Sequence, residues 1–152
     1  MDPVKARGRK RLDERLTPLR EANLSARPAK GWVKAIREAL GMSGKQLAQR
    51  LKIAPQNVDL LEKSESADTI QLKTLRRAAE ALNCTLVYAL VPNTSLEAMV
   101  NARAREIALH DLGRVAHTMK LEAQETDERD LEERIEDYIR DVLRARDLWK
   151  IS

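Results

Sequence analysis

The sequence predicts a mainly α-helical fold with one β-strand, and three observations carry that prediction. Phe is absent and only Trp32, Tyr88, Tyr138 and Trp149 are aromatic, so the core must be built from Leu, Ile, Val, Met and Ala, a composition that favours helix packing. Most of these apolar residues recur three and four places apart, which puts them on one face of a helix. One run breaks the stride: Cys84 to Val91, CTLVYALV, is rich in β-branched and apolar residues and is stopped by Pro92.

A length of 152 residues suits one compact domain, or a small domain with a substantial extension. The formal net charge of +4 conceals a gradient. Residues 1–30 carry nine Lys/Arg against four Asp/Glu, residues 31–83 nine against six, and residues 84–152 ten against fourteen. The front of the chain suits a polyanion and the rear repels one. No apolar run is long enough to cross a bilayer and no signal-peptide core is present, so a cytoplasmic protein without membrane contact is expected. Cys84 is the single cysteine, which excludes an intrachain disulfide and a cysteine-based zinc set; its neighbours Leu82, Leu86 and Val87 predict a buried thiol.

In chain order, residues 1–30 open with a basic run, Lys5, Arg7, Arg9, Lys10 and Arg11, read as an arm. Leu12, Leu16 and Leu19 keep helical spacing, but Pro18 confines any helix to an end before it or a start after it. Such an arm can follow a phosphate backbone or enter a minor groove; the alternative is a solvated tail.

Pro28 and Gly31 then punctuate the chain ahead of Trp32, Val33, Ile36 and Leu40, an amphipathic helix ended by Gly41. Ser43 is placed to cap the next helix, whose Leu47, Ala48 and Leu51 keep the stride up to a break at Lys52-Ile53-Ala54. Pro55 opens a further helix in which Val58, Leu61 and Leu60 resume the apolar pattern in a new phase. Helix, tight turn and helix form the unit whose second member lies in the major groove of DNA. The small Ala48 lets the two helices approach. Gln56 and Asn57 fall in the exposed first turn, and each offers a donor beside an acceptor, matching N6 and N7 of adenine. Lys63 is assigned to phosphate, and Lys45 and Gln46 are placed to grip the backbone from the preceding helix.

The polar segment Ser66 to Thr69 supplies caps for a helix with a buried stripe of Ile70, Leu72, Leu75, Ala78, Ala79 and Leu82. Lys73, Arg76 and Arg77 stay outside, and Asn83 is suited to the left-handed closing position. A lone strand at residues 84–92 exposes unmet backbone groups, so its simplest partner is the same strand of a second copy, antiparallel about a twofold axis; a helical continuation is the alternative. Thr94 or Ser95 opens a long helix with Leu96, Val100, Ala104, Ile107, Leu112, Val115 and Met119 on one stripe. A last helix, from about residue 127 to 145, lines up Leu131, Ile135, Tyr138, Ile139, Val142 and Leu143, and the two helices can fold back on each other. Leu148, Trp149 and Ile151 are read as completing a core. His110 and His117 lack further ligands, and no phosphate loop or nucleophile motif stands out, so no metal, no cofactor and no enzymatic activity are expected.

Residues 31–83 resemble the lambda-repressor-like, or Xre-type, helix-turn-helix domain through Gln46-Leu47-Ala48, Val58, Leu61-Glu62-Lys63 and Leu75, Ala79 and Leu82. That pattern commonly has Gly or Asn where this chain has Lys52, and a Ser cap where it has Ala54. The whole chain further resembles the mobile mystery protein A family through Gly31-Trp32, Ala35 to Met42, Leu72 to Leu82 and Leu86 to Pro92. Members of that family accompany a protein with a Fic domain, which implies a toxin–antitoxin pair. Thr118-Met119-Lys120-Leu121-Glu122-Ala123 resembles the inhibitory helix of Fic antitoxins, with Ala123 in place of the usual Gly or Asn. By that resemblance Glu122 would pair with the toxin arginine that holds the ATP γ-phosphate, with Thr118 one turn earlier.

The expected organisation is thus a basic arm (1–30), a helix-turn-helix DNA-binding domain (31–83), a dimerisation strand (84–92) and a C-terminal helical toxin-binding extension (93–152). The expected function is an antitoxin that neutralises a Fic-domain toxin and represses its own operon by binding double-stranded operator DNA, as a homodimer or a toxin–antitoxin hetero-oligomer. The alternative is a plain Xre-type regulator whose C-terminal helices only dimerise.

Overall fold

A computed structural model describes residues 2–22, 26–118 and 128–150. The described residues form α1 (Pro3–Glu21), α2 (Trp32–Ala39), α3 (Gly44–Leu51), α4 (Pro55–Ser66), α5 (Leu72–Ala81), α6 (Leu96–Thr118) and α7 (Glu128–Asp141). They fall into two compact units, one spanning Asn23–Leu90 and the other combining Met1–Ala22 with Val91–Ser152.

The first unit gathers α2 to α5 around Val33, Leu47, Ala48, Leu51, Val58, Leu61, Ala78 and Leu82, all buried. Its helix ends follow from local chemistry. Ser43 Oγ accepts the Gln46 N–H at 3.2 Å while Gln46 Oε1 accepts the Ser43 N–H at 2.8 Å, a reciprocal capping box. Asn83 takes the predicted left-handed conformation (φ 56°), and the Cys84 N–H returns to the Ala79 carbonyl at 2.8 Å. Asp68 does not cap α5 as its position suggested. It is itself left-handed (φ 59°), held by Arg27, and Gln71 occupies the N-cap position without a side-chain bond. Nor are Trp32, Leu40, Leu60 and Leu72 core residues; all four are exposed, because helices of two or three turns bury only the narrow stripe that faces their neighbours.

Cys84 to Pro92 forms neither a strand ladder nor a helix, which removes the helical continuation and leaves the predicted strand unformed within the chain. The physical reason is the lack of an edge to pair with, since an isolated strand satisfies none of its backbone groups. Val87 and Leu90 are 82% and 90% exposed, and Cys84 is half-buried rather than sealed.

In the second unit α1 and α7 both pack on α6. The segment read as an arm is a helix of 19 residues, capped by Asp2, whose carboxylate accepts the Val4 N–H at 2.9 Å. It runs through Pro18, contrary to expectation. One hydrogen bond is lost there, but only one turn follows, and it is tied down because the Arg20 guanidinium donates to the carbonyl of Thr94. Asp13 accepts the Leu96 and Glu97 N–H groups at 2.7 and 3.1 Å, so a carboxylate on α1 satisfies the first orphan donors of α6. Arg9 pairs with Glu97 at 2.7 Å beside it. Ser95 Oγ accepts the Ala98 N–H at 3.0 Å, as expected of a residue that opens the helix.

The core of this unit is Val100, Ala104, Leu143 and Leu148, with Ile107, Tyr138 and Ile139 packed against them. Leu148 thus completes a core, whereas Trp149, Val142 and Val115 are exposed. Tyr138 donates its hydroxyl to Asp111, and Arg105 forms a bidentate pair with Glu132, joining α6 to α7. Among the described residues no helix is long and apolar enough to cross a membrane.

Candidate nucleic-acid interface

The site rests on α3, the turn and α4. Lys52 ends α3 in the left-handed conformation (φ 57°, ψ 44°), the position where Gly or Asn is usual, and its N–H bonds the Ala48 and Gln49 carbonyls. A Cβ in this region costs about 1–2 kcal/mol, so the reversal is imposed by packing on either side. Ile53 packs against the core, and its N–H also returns to the Ala48 carbonyl at 3.0 Å. Ala48 is 1% exposed, consistent with a small residue at the crossing. Pro55 is the first residue of α4, and Ala54 precedes it without a side-chain cap.

α4 is held from behind by two buried carboxylates. Glu62 receives the Arg37 Nε at 2.5 Å and Nη2 at 3.1 Å, while Arg37 Nη1 donates to the Met42 carbonyl at 2.9 Å. The bond to Glu62 keeps the guanidinium above its ordinary pKa, against the desolvation that burial imposes. Glu65 accepts the Trp32 and Val33 N–H groups at 2.7 and 2.9 Å, so the end of α4 caps the start of α2. Gly31 (φ 83°) is required at this join, because a Cβ there would stand 2.8 Å from Glu65 Oε2. Arg50 donates to the Ala81 carbonyl at 3.0 Å and Arg77 to the Leu51 carbonyl at 3.4 Å, each placing a cation at the carboxyl end of the other's helix.

The outward side carries the residues expected to read DNA. Gln56 and Asn57 are exposed in the first turn of α4, and Lys45 is exposed in the first turn of α3. Gln46 is exposed too, but its amide oxygen is committed to the cap, leaving only the NH2 to donate to a phosphate. Lys63 is exposed and pairs with Asp59 one turn earlier at 2.6 Å; its ammonium holds the Asp59 carboxyl below the usual carboxylate range. Lys73 and Arg76 on α5 are exposed as predicted.

Four residues that matter here were not anticipated. Asp59 is 60% exposed on the side chain and accepts only, the character that suits the N4 amine of cytosine. Leu60 is 61% exposed in the same stretch and can meet a thymine methyl. Glu62 and Glu65 could have been found from spacing alone, since both share the stride of Val58 and Leu61 and so had to face the core.

Of the residues assigned to toxin inhibition, Thr118 is the last of α6, and Glu122 lies outside the described residues. His110 Nδ1 lies 3.1 Å from Asp111; among the described residues no three His, Cys, Asp or Glu stand together as a metal site.

This arrangement is that of a helix-turn-helix domain, and residues 33–88 match the family model described as helix-turn-helix. The chain therefore carries a helix-turn-helix domain of the Xre-like type, the class that binds DNA for transcription regulation. The comparisons with curated proteins and with solved structures returned no match.

Proposed function

We propose that the protein is a sequence-specific transcriptional repressor that acts as a dimer on double-stranded operator DNA. The observation that carries this reading is the first turn of α4, where Gln56 and Asn57 are exposed while Val58, Leu61, Glu62 and Glu65 anchor the same helix from behind. A reader of base edges needs that rigidity, because a bidentate amide contact depends on a fixed approach. Gln56→Ala should cost about 1 to 3 kcal/mol at one operator position, whereas Lys63→Ala should weaken every sequence and flatten the salt dependence by about one unit of slope. Selection of binding sites from a random duplex library with the wild type, then titration of each variant, separates the two. Equal losses for Gln56→Ala on selected and random DNA would contradict base readout.

We further propose that the chain is an antitoxin, with Glu122 and Thr118 obstructing ATP binding by a Fic-domain toxin; it is a binding protein and not an enzyme. Support comes from the likeness of residues 118–123 to Fic inhibitory helices and from the motifs shared with the mobile mystery protein A family. Co-expression of a toxin encoded beside this gene tests the idea. Glu122→Ala should lose neutralisation while retaining DNA binding, and normal neutralisation would remove that role. Confinement of the family match to residues 33–88 favours the plain regulator as the second reading, which predicts no toxin complex at all.

A further inference from the structure

We propose that the outer face of α1 is a second contact with duplex DNA, gripping phosphates with Arg7, Arg11 and Arg15 around Gly8. The inference rests on the DNA-binding reading but uses no residue of the helix-turn-helix. The three arginines stand at four-residue spacing, one above another on one face, and mark out about 12 Å of helix. All three are exposed, and so is Lys10 beside them. Glu14 is exposed beside the stripe, and the other acids that share a groove with Arg7 and Lys10 are committed, Asp13 to capping α6 and Glu97 to Arg9.

Several other arginines of this unit are committed to partners. Arg9 is bound to Glu97, Arg20 to the carbonyls of Pro92 and Thr94, Arg103 to that of Leu148 and Arg105 to Glu132. Among the described contacts Arg7 reaches only the Pro3 carbonyl of its own helix, at 3.4 Å. The half-buried Arg9, Arg20 and Arg103 hold the unit together, whereas Arg7, Arg11 and Arg15 form an exposed row.

Gly8 is the second, independent observation. Glycine inside a helix is unfavourable, and a packing neighbour normally explains it; here a Cβ would meet nothing within 4 Å. A bare backbone beside the amino-terminal half of the cationic row lets a partner come close to the helix. Duplex DNA is the polyanion that fits, with one charge per about 1.7 Å of axis. It is also the one brought near, since α1 is part of the same chain as the domain and is therefore held at high local concentration once the domain is bound.

The test uses the full chain and a labelled 40-base-pair random duplex, with binding followed by anisotropy between about 50 and 200 mM salt. In Arg7→Gln/Arg11→Gln/Arg15→Gln the slope of log K against log salt should become shallower by about 2 to 3 per protomer. The charge-matched control Arg129→Gln/Arg134→Gln/Arg144→Gln should leave it unchanged, and lysine at positions 7, 11 and 15 should restore it. Circular dichroism confirms that each variant is folded. A wild-type slope in the first variant, or the same change in the control, overturns the role of α1 and leaves the helix-turn-helix reading standing. No duplex binding by the wild type overturns both.

Discussion

Single residues in this protein do opposite kinds of work, and Arg37 and Lys52 illustrate the contrast. Arg37 satisfies a buried carboxylate, so Arg37→Ala strands Glu62 and should cost about 3 to 5 kcal/mol in urea denaturation. Replacing both, as Arg37→Met/Glu62→Leu, should recover much of that loss, because the pair itself adds little beyond what desolvation costs. Lys52 carries strain instead. Lys52→Gly should raise the urea midpoint by about 1 kcal/mol equivalent without changing the slope, and a lowered midpoint would show that the left-handed turn is not strained. The position of Lys52 was legible in the sequence as a departure from the usual turn; that packing forces it left-handed was not, because propensity alone favours another conformation.

At the level of elements, α2 to α5 are short, 8 to 12 residues each, and depend on how their ends are closed. Ala54 leaves the start of α4 without a side-chain cap, and Ala54→Ser should stabilise the domain by about 1 kcal/mol, read as a higher melting temperature with unchanged affinity for DNA. The bond between Asp111 and Tyr138 is one of the links between α6 and α7. Tyr138 bonding, and then His110, hold the Asp111 carboxyl below its usual 3.8, and the same bond pushes the Tyr138 hydroxyl up to about 12. A depressed carboxylate stabilises the fold above its unfolded pKa, and that contribution is lost as pH falls through the lower folded value. The raised hydroxyl stabilises the fold below about pH 10, and that contribution is lost as pH climbs towards 12. Tyr138→Phe should therefore flatten the acid limb of stability below about pH 4 as well as the alkaline limb, in denaturation followed across pH; an unaltered acid limb would place the acid sensitivity elsewhere. The helices from α2 to α7 are legible from apolar spacing, including Ser43 and Asn83 at the ends of two of them. α1 reads as an arm because of its basic run, although Leu12, Leu16 and Leu19 keep helical spacing, and Pro18 suggests a break where the Arg20 clamp allows continuation.

For the molecule as a whole, residues 84–92 carry the apolar surface of greatest physical consequence, with Val87 and Leu90 among its most exposed apolar residues. Val87, Tyr88 and Leu90 expose apolar surface on a segment without a strand ladder or helix, and a second copy of the same segment would satisfy both surface and hydrogen bonds. Sedimentation velocity at micromolar concentration should show a dimer, and Val87→Lys/Leu90→Lys should shift it to monomer with the helical content unchanged. A monomeric wild type would remove strand pairing from the account. Composition and spacing by themselves determined the helical class, the turn between α3 and α4 and the exposed pair Gln56 and Asn57, since these follow from periodicity and local caps that a short stretch of chain specifies alone. Only the tertiary structure decided that Glu65 closes α2, that Glu62 pairs with Arg37 and that Asp13 on α1 starts α6, because each joins residues 25 to 83 positions apart, whose meeting no local pattern encodes.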